Sequence, residues 1–267
     1  MSLPDHRIVD THAHLCNPVF DTDRPEVIKR ALAAGVGAII AVSENLSDAQ
    51  RNIELASNHP ELKPAAGLYP TYLDLNKAKA MISFIRNERN KLVAIGEVGL
   101  DYWAVKEESE KELQREIFIS FIHLALELDL PLNVHSRSAG RHAVALLLEH
   151  NAKKVQLHAF DGRASSAHPA VEAGFFFSVP PSIIRSRQKQ KLVKQLPLSC
   201  LLIETDSPVL GPLPDERNEP ANAVFSINAI AEIKDISKDE VMEAIFNNAC
   251  RLFGVQTFKE AGVNYER

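Results

Sequence analysis

The sequence predicts a single-domain (β/α)8 barrel of the TIM type, and three observations carry that prediction. Eight short apolar runs recur along the chain, separated for the most part by longer amphipathic stretches. Strands alternating with helices imply parallel strands joined by right-handed crossovers. The length, 267 residues, fits the size at which eight such units close on themselves, about 250 residues. An open doubly wound sheet would carry a Gly-rich dinucleotide fingerprint in its first turn, and the first turn lacks one. No linker, low-complexity segment or repeat divides the sequence, so residues 1–267 read as one domain.

The strand runs are Ile8–Asp10, Ala38–Val42, Pro64–Leu68, Leu92–Ile95, Leu132–Val134, Val155–Leu157, Phe175–Ser178 and Leu201–Ile203. Helical stretches lie at Pro25–Ala33, Ala49–Ser57, Ala78–Arg89, Lys111–Leu128, Gly140–Glu149 and Gln188–Leu196, with two more near Ala221–Ile233 and Asp239–Leu252. Ser47 with Gln50, Ser109 with Glu112, and Ser237 with Glu240 have the spacing of capping boxes and mark helix starts. Gly35 ends the first helix.

Composition narrows the function. With 45% hydrophobic and 24% charged residues, the chain has the profile of a soluble globular protein with a large core. A net charge of −5 argues against a broad surface that coats nucleic acid, so contact with a phosphate polymer requires a local patch or bound metal. Cys16, Cys200 and Cys250 form no close pair, which predicts no disulfide, no zinc knuckle and a reducing compartment, cytoplasmic or nuclear. No apolar run is long enough for a secretory signal or a bilayer span, so no membrane association is expected. Nothing in the sequence calls for an obligate protein partner.

The chemistry-bearing residues follow the strand runs, at the end where parallel barrels place their sites. The first run leads into Asp10-Thr11-His12-Ala13-His14. In an extended chain alternate side chains share a face, so His12 and His14 aim two imidazoles at one spot. The fourth run ends in Gly96-Glu97, the fifth in His135, the sixth in His158 and the eighth in Glu204-Thr205-Asp206. Taken singly, His135 or His158 is an ordinary core histidine, Glu97 a helix cap and Asp206 a turn residue before Ser207-Pro208. Taken together, four imidazoles and two carboxylates on one barrel face make a divalent-metal centre. Two cations close together need a shared anion, which assigns Glu97 as the bridge. His12, His14 and Asp206 then complete one metal site, and His135 with His158 the other. Such a pair acidifies water and clamps the attacked group, and Asp206 is placed to accept the proton. His6, His59, His123, His142, His150 and His168 fall in helices, before proline or near a terminus, and are expected to be structural or solvated.

These blocks resemble the signatures of the TatD family, metal-dependent hydrolases of the amidohydrolase superfamily. The resemblance rests on Asp10 to Leu15, on Gly96-Glu97-Val98-Gly99-Leu100-Asp101-Tyr102 and on Asn133-Val134-His135-Ser136-Arg137. It continues in His158-Ala159-Phe160-Asp161-Gly162, Glu204-Thr205-Asp206-Ser207-Pro208 and Asn248-Ala249-Cys250-Arg251-Leu252-Phe253. It spans Ile8 to Phe253, and His135 to Arg141 with Pro180 to Ser186 look closest to an animal branch of the family. The resemblance implies a TIM-type barrel, a two-metal site and DNA hydrolysis, often exonucleolytic from 3′ to 5′. It also implies metal-ligand roles for His12, His14, Glu97, His135, His158 and Asp206. The chain departs from the family after the third strand run. Where the family usually has Gly-x-His-Pro, this chain has Gly67-Leu68-Tyr69-Pro70, which puts a phenol where the family histidine faces substrate.

Arg137, Arg141, Arg163 and Arg185 follow the fifth, sixth and seventh runs and suit bidentate phosphate contact. The five cations from Arg185 to Lys194 are expected to face solvent along a helix, Arg185 excepted. Tyr102 and Trp103 are placed either to stack on bases of a single strand or to pack on the barrel rim. The sequence thus predicts a deoxyribonuclease working on single strands or strand ends with two divalent ions. Four imidazoles favour Zn²⁺ or Mn²⁺ by ligand softness, and the family resemblance adds Mg²⁺. Two alternatives stay open: hydrolysis of a small ester, lactone or amide by the same centre, and a weakly catalytic binding protein that keeps the fold.

Overall fold

The computed structural model describes residues 8–254 and 256–259. Eight parallel strands follow one another around one sheet in sequence order. They are β1 (Ile8–Ala13), β2 (Val36–Ala41), β3 (Leu62–Ala66), β4 (Ala94–Gly99), β5 (Leu132–His135), β6 (Val155–Leu157), β7 (Phe176–Val179) and β8 (Leu201–Ile203). The helices between them are α1 (Arg24–Ala33), α2 (Leu46–Asn58), α3 (Leu75–Glu88), α4 (Glu108–Leu128), α5 (Gly140–Glu149), α6 (Ala164–Glu172) and α7 (Arg187–Gln195). After β8 come α8 (Ala223–Lys234), α9 (Lys238–Phe253) and α10 (Gln256–Lys259). The expected barrel is present among the described residues. His6 lies outside them.

Packing follows from the ring. One buried cluster takes Val9, Ile40, Ala65, Ala94, Phe176 and Leu202 from six different strands and joins them to Phe246, Phe253 and Phe258 of α9 and α10. The larger cluster packs other strand residues, such as Ile39, Ile95 and Val134, against Ile28, Met81, Phe118, Phe121 and Leu147 of the surrounding helices. At the seam between β8 and β1 the connection is polar. Thr11 Oγ1 donates to the Ile203 carbonyl at 2.8 Å, and the Asp206 N–H to the His12 carbonyl at 2.8 Å. The buried Asp10 carboxylate accepts from the Thr205 N–H at 2.8 Å and the Thr205 hydroxyl at 2.5 Å. Burial pushes the Asp10 pKa up to about 8, against the pull of those Thr205 bonds.

Several boundaries differ from the sequence expectation for identifiable reasons. The fourth strand continues past Ile95 to Gly99, because Val98 and Gly99 pair with Val134 and His135 of β5. Glu97 therefore lies within a strand and not after one. Ser47 and Ser109 sit inside their helices and do not cap them: Asn45 caps α2 by accepting the Asp48 N–H at 3.1 Å, and α4 begins at Glu108. The Ser237–Glu240 box is formed at the start of α9. The sequence reading named no helix at α6, whose nine residues include three alanines and the internal Pro169, so no strong apolar periodicity announces it. All three cysteines are free and buried, and no described helix is long and apolar enough to cross a membrane.

Gly99 adopts φ +143°, and a Cβ there would lie 2.0 Å from the His135 carbonyl oxygen. Gly174 also has positive φ, +83°, but with open space around it. Gly99→Ala should therefore lower the free energy of unfolding by roughly 3 kcal/mol or more, strain and overpacking adding. Gly174→Ala should cost only about 1 kcal/mol. Urea unfolding of both variants checks this; equal losses would show that β4 and β5 yield to the added methyl.

Candidate metal centre

The barrel brings together all six residues expected to converge. His12 projects from β1 and His14 from the residue beyond it, held there by the His14 N–H donating to the Ser207 carbonyl at 2.8 Å. Glu97 comes from β4, His135 ends β5, His158 follows β6 and Asp206 follows β8. Asp206 adopts a left-handed φ of 55°, a conformation costing about 1–3 kcal/mol for a non-glycine residue. Two backbone bonds hold it: its N–H to His12, and the Val209 N–H to its carbonyl at 2.9 Å.

The two oxygens of Glu97 face two groups. Oε2 lies 3.4 Å from His14 Nε2 and 3.7 Å from His12 Nε2. Those nitrogens are 3.2 Å apart and lie 3.5 Å and 3.4 Å from Asp206 Oδ1. Oε1 lies 2.6 Å from His135 Nδ1 and 3.0 Å from His158 Nε2, which are 3.1 Å apart. A tetrahedral Zn²⁺ site with arms of about 2.0–2.1 Å has edges of about 3.3–3.4 Å between donor atoms. The first group, with four donors, has edges of that size. The second offers three donors, one short of a closed tetrahedron. His12, His14 and Glu97, and separately Glu97, His135 and His158, have donor atoms close enough to hold an ion.

Electrostatics point the same way. Burial would raise Glu97, yet His158 and His135 beside it hold its carboxyl well below the usual range. Asp206 is likewise low, because His12 and His14 outweigh its burial. Burial would depress His14, but Asp206 and Glu97 hold it up at about 10. Glu97 keeps His135 and His158 above their ordinary value against the same burial. The centre thus attracts positive charge, and protons and divalent ions compete for the same nitrogens.

Neighbouring side chains orient the imidazoles. Asn133 is pinned by donating from Nδ2 to the Thr11 carbonyl at 2.9 Å, and its Oδ1 lies 2.8 Å from His12 Nδ1. An amide oxygen only accepts, so the proton sits on Nδ1 and the lone pair of His12 Nε2 faces the cluster. Asp101 Oδ2 lies 3.2 Å from His135 Nε2, and Glu204 Oε2 lies 3.6 Å from His158 Nδ1. Glu204 itself accepts from the Ala159 N–H at 2.8 Å and the Ser178 hydroxyl at 2.6 Å. Sequence reasoning assigned no role to Asn133, Asp101 or Glu204. Asn133 and Glu204 stand two residues before His135 and Asp206, the same-face spacing of an extended chain, and that spacing is the signal that marks them.

A cavity of about 400 Å³ opens on the centre, lined by Tyr69, His135, Ser136, Arg137, His158, Ala159, Asp161, Lys189, Asp206, Val209 and Leu210. Tyr69 and Arg137 therefore stand where substrate would enter. The Tyr69 hydroxyl lies 3.4 Å from Asp101 Oδ2, and burial pushes its phenol above its ordinary pKa. Arg137 stacks on the Trp103 ring, its guanidinium carbon 3.7 Å from the centroid, at the exposed edge of the mouth. Tyr102 turns to the rim, where its hydroxyl accepts from Arg115 at 3.0 Å and its ring packs on His142. Arg141, Arg163 and Arg185 are exposed and outside the cavity lining, and Arg185 is tied to the Gly211 carbonyl at 3.4 Å. Lys189, expected to face solvent, lines the cavity instead: Leu192 and Val193, three and four residues on, are the buried face of α7.

Comparison with known proteins agrees with this picture. The family model described as TatD related DNase matches residues 9–254. The deoxyribonuclease TATDN3 of Homo sapiens is 46% identical over 259 residues, which are 92% of this chain and 94% of that protein. The uncharacterized metal-dependent hydrolase YabD of Bacillus subtilis is 35% identical over 257 residues, 93% of this chain and 99% of that one. The crystal structure of YjjV, a TatD homolog from Escherichia coli K12, superposes with a TM-score of 0.86 at 30% identity, over 93% of this chain and 98% of its own.

Loss of the amide that orients His12 should weaken the centre without emptying it. Asn133→Ala is expected to reduce divalent-ion affinity on the order of 10–100-fold. Titration calorimetry on the metal-free protein measures this, and unchanged affinity would mean that the neighbouring rings alone hold His12 in place.

Proposed function

This chain belongs to the TatD-related DNase family, and we propose that it is a metal-dependent phosphodiesterase that cleaves DNA at single-stranded ends, in the manner of a 3′-to-5′ exonuclease. The observation that carries the reading is the division of Glu97: one carboxylate oxygen faces His12 and His14, which also lie beside Asp206, and the other faces His135 and His158. In this reading those six residues hold two divalent ions, Zn²⁺, Mn²⁺ or Mg²⁺, with Glu97 shared between them. Such ions supply Lewis acidity, which acidifies water and neutralises charge on phosphate oxygens.

The protein's own groups do the rest. Asp206 lines the cavity, and its low pKa keeps it ionised and ready to take a proton at neutral pH. Arg137 presents a guanidinium at the mouth, shaped for two oxygens of a phosphate and braced on Trp103. Val209 and Leu210 add apolar surface to the lining. The cavity of about 400 Å³ that opens on the centre suits a substrate that enters by a strand end. The cations Arg137 and Lys189 around it favour a phosphate ester over a neutral lactone or amide.

The test is activity of the metal-stripped protein on end-labelled single-stranded DNA, with Zn²⁺, Mn²⁺ and Mg²⁺ restored one at a time. Activity should vanish on stripping and return with at least one ion. Glu97→Ala should bind fewer than two ions per chain, measured by plasma emission, and lose turnover while its circular dichroism stays unchanged. Asp206→Asn should keep metal and lose on the order of 10²–10⁴ in rate. Full activity of the stripped protein would sink the reading; wild-type rates in Asp206→Asn would remove Asp206 from the proton's path.

Tyr69 gives a second, independent expectation. Its buried phenol stays neutral at pH 7 and offers only a hydrogen bond or a ring face. A substrate whose leaving group needs protonation receives less help here than it would from a histidine. Tyr69→His should raise kcat/KM for DNA relative to a nitrophenyl phosphodiester, and Tyr69→Phe should lower binding only modestly. An unchanged substrate ratio in Tyr69→His would show that leaving-group assistance comes from elsewhere.

A further inference from the structure

Lys189 is a cation in an unusual place. Ser186 starts α7 by accepting the Lys189 N–H on its hydroxyl at 3.3 Å, which sets the lysine on the turn that overlooks the end of β6. Its Nζ donates to the carbonyl of Ala159 at 2.9 Å, the residue after His158. An ammonium has three N–H donors, so two are left for what enters the cavity. Glu204, Asp161 and Asp206 act on Lys189 through space, and none of them pairs with it directly among the described residues. Burial depresses its pKa in spite of those carboxylates. A half-buried cation with no direct counter-ion is partly desolvated at a cost, and an anion supplied by a ligand offsets that cost. The other four cations of the same run, Arg185, Arg187, Lys191 and Lys194, lie outside the cavity lining.

We propose that Lys189 is a specificity-determining residue that holds a charged oxygen of a substrate phosphate in the cavity, beside Ala159. The inference rests on the phosphodiesterase reading above and sharpens it: the substrate carries an anion at that position, and neutral esters of similar shape are disfavoured there. Arg137 meets phosphate at the exposed mouth, where water competes. Lys189 meets it from a half-buried position tied to the backbone, where water competes less, so its contribution to selectivity is the larger one.

The test compares Lys189→Gln and Lys189→Arg with the wild-type metal-loaded protein. The probes are inorganic phosphate, single-stranded DNA, and the same DNA with one uncharged methylphosphonate placed in turn at each linkage near the end. Lys189→Gln should weaken phosphate binding, read by calorimetry, by about tenfold or more, and lower kcat/KM for DNA similarly, while Lys189→Arg retains most of both. At one linkage, the methylphosphonate should cost the wild type as much as the substitution does and cost Lys189→Gln almost nothing further. Thermal melts of both variants confirm folding, and Lys189→Met replaces Lys189→Gln if the latter is unstable. Unchanged phosphate affinity in a folded neutral variant overturns the proposal, as do penalties that simply add at every linkage. If the wild type cleaves no DNA, the substrate reading fails by itself. Phosphate binding then still decides Lys189: a tenfold loss in the neutral variant sustains its role, and equal affinity ends it.

Discussion

A single buried carboxylate sets the terms for the rest of this site. Glu97 is 2% exposed, inside a strand, and surrounded by four imidazoles. An ionised carboxylate in such a place is tolerable only beside positive charge, and the rings provide it when protonated or when they share a cation with it. Everything around it can be read as holding that arrangement in register. Asn133 turns His12, Asp101 steadies His135 and Glu204 faces His158, each from a different strand or strand end. The parallel barrel is what permits this, because eight strand ends arrive at one rim and each contributes one or two short, stiffly held side chains.

The same dependence explains why so much of the centre was legible in the sequence. A ligand at the end of a parallel strand lies beside the apolar run that makes the strand, so His135, His158 and Asp206 announce themselves by position. His12 and His14 announce themselves by two-residue spacing. Glu97 stands out although β4 runs on past the apolar run, since Gly96-Glu97 directly follow its apparent end at Ile95. What the sequence hid depended on side-chain direction over long separations. Asn133 looks like a polar residue in a strand until its 2.8 Å contact with His12, 121 positions away, gives it a task. Lys189 is one of five cations in ten residues, and only the packing of Leu192 and Val193 shows which way it turns. The helix α6 was missed because alanine and proline carry little periodic signal.

The mouth divides into parts of different character. On one side Arg137 and Trp103 form an exposed stack, with Trp103 57% accessible, suited to loose and adaptable contact with a flexible strand. On the other, Lys189 is tied to the backbone beside His158 and offers a fixed donor. Under the proposed reading, a strand end entering there would meet the exposed stack and the backbone-tied donor. Such contacts suit a net charge of −5, which calls for a few well-placed cations in place of a broad basic surface. Tyr102, bonded to Arg115 and packed on His142, keeps the fourth loop in shape behind that clamp.

Tyr69 shows how the centre absorbs a departure from its family. The phenol replaces an imidazole that would carry its own proton equilibrium into the site, and so removes one titrating group from an already crowded cluster. Its hydroxyl lies 3.4 Å from Asp101, the carboxylate next to His135, and its ring meets His135 edge-on at 5.0 Å between centroids. It thereby becomes part of the frame that fixes His135, a role that needs shape and one hydrogen bond and no change of charge. Acid assistance to a leaving group then has to come from water or from groups beyond this corner. The ionised carboxylates Glu97 and Asp206 bring no proton of their own, and Arg137 gives hydrogen bonds without giving up its proton. Under the proposed reading, charge development would fall to cations and proton uptake to Asp206, with position 69 serving geometry.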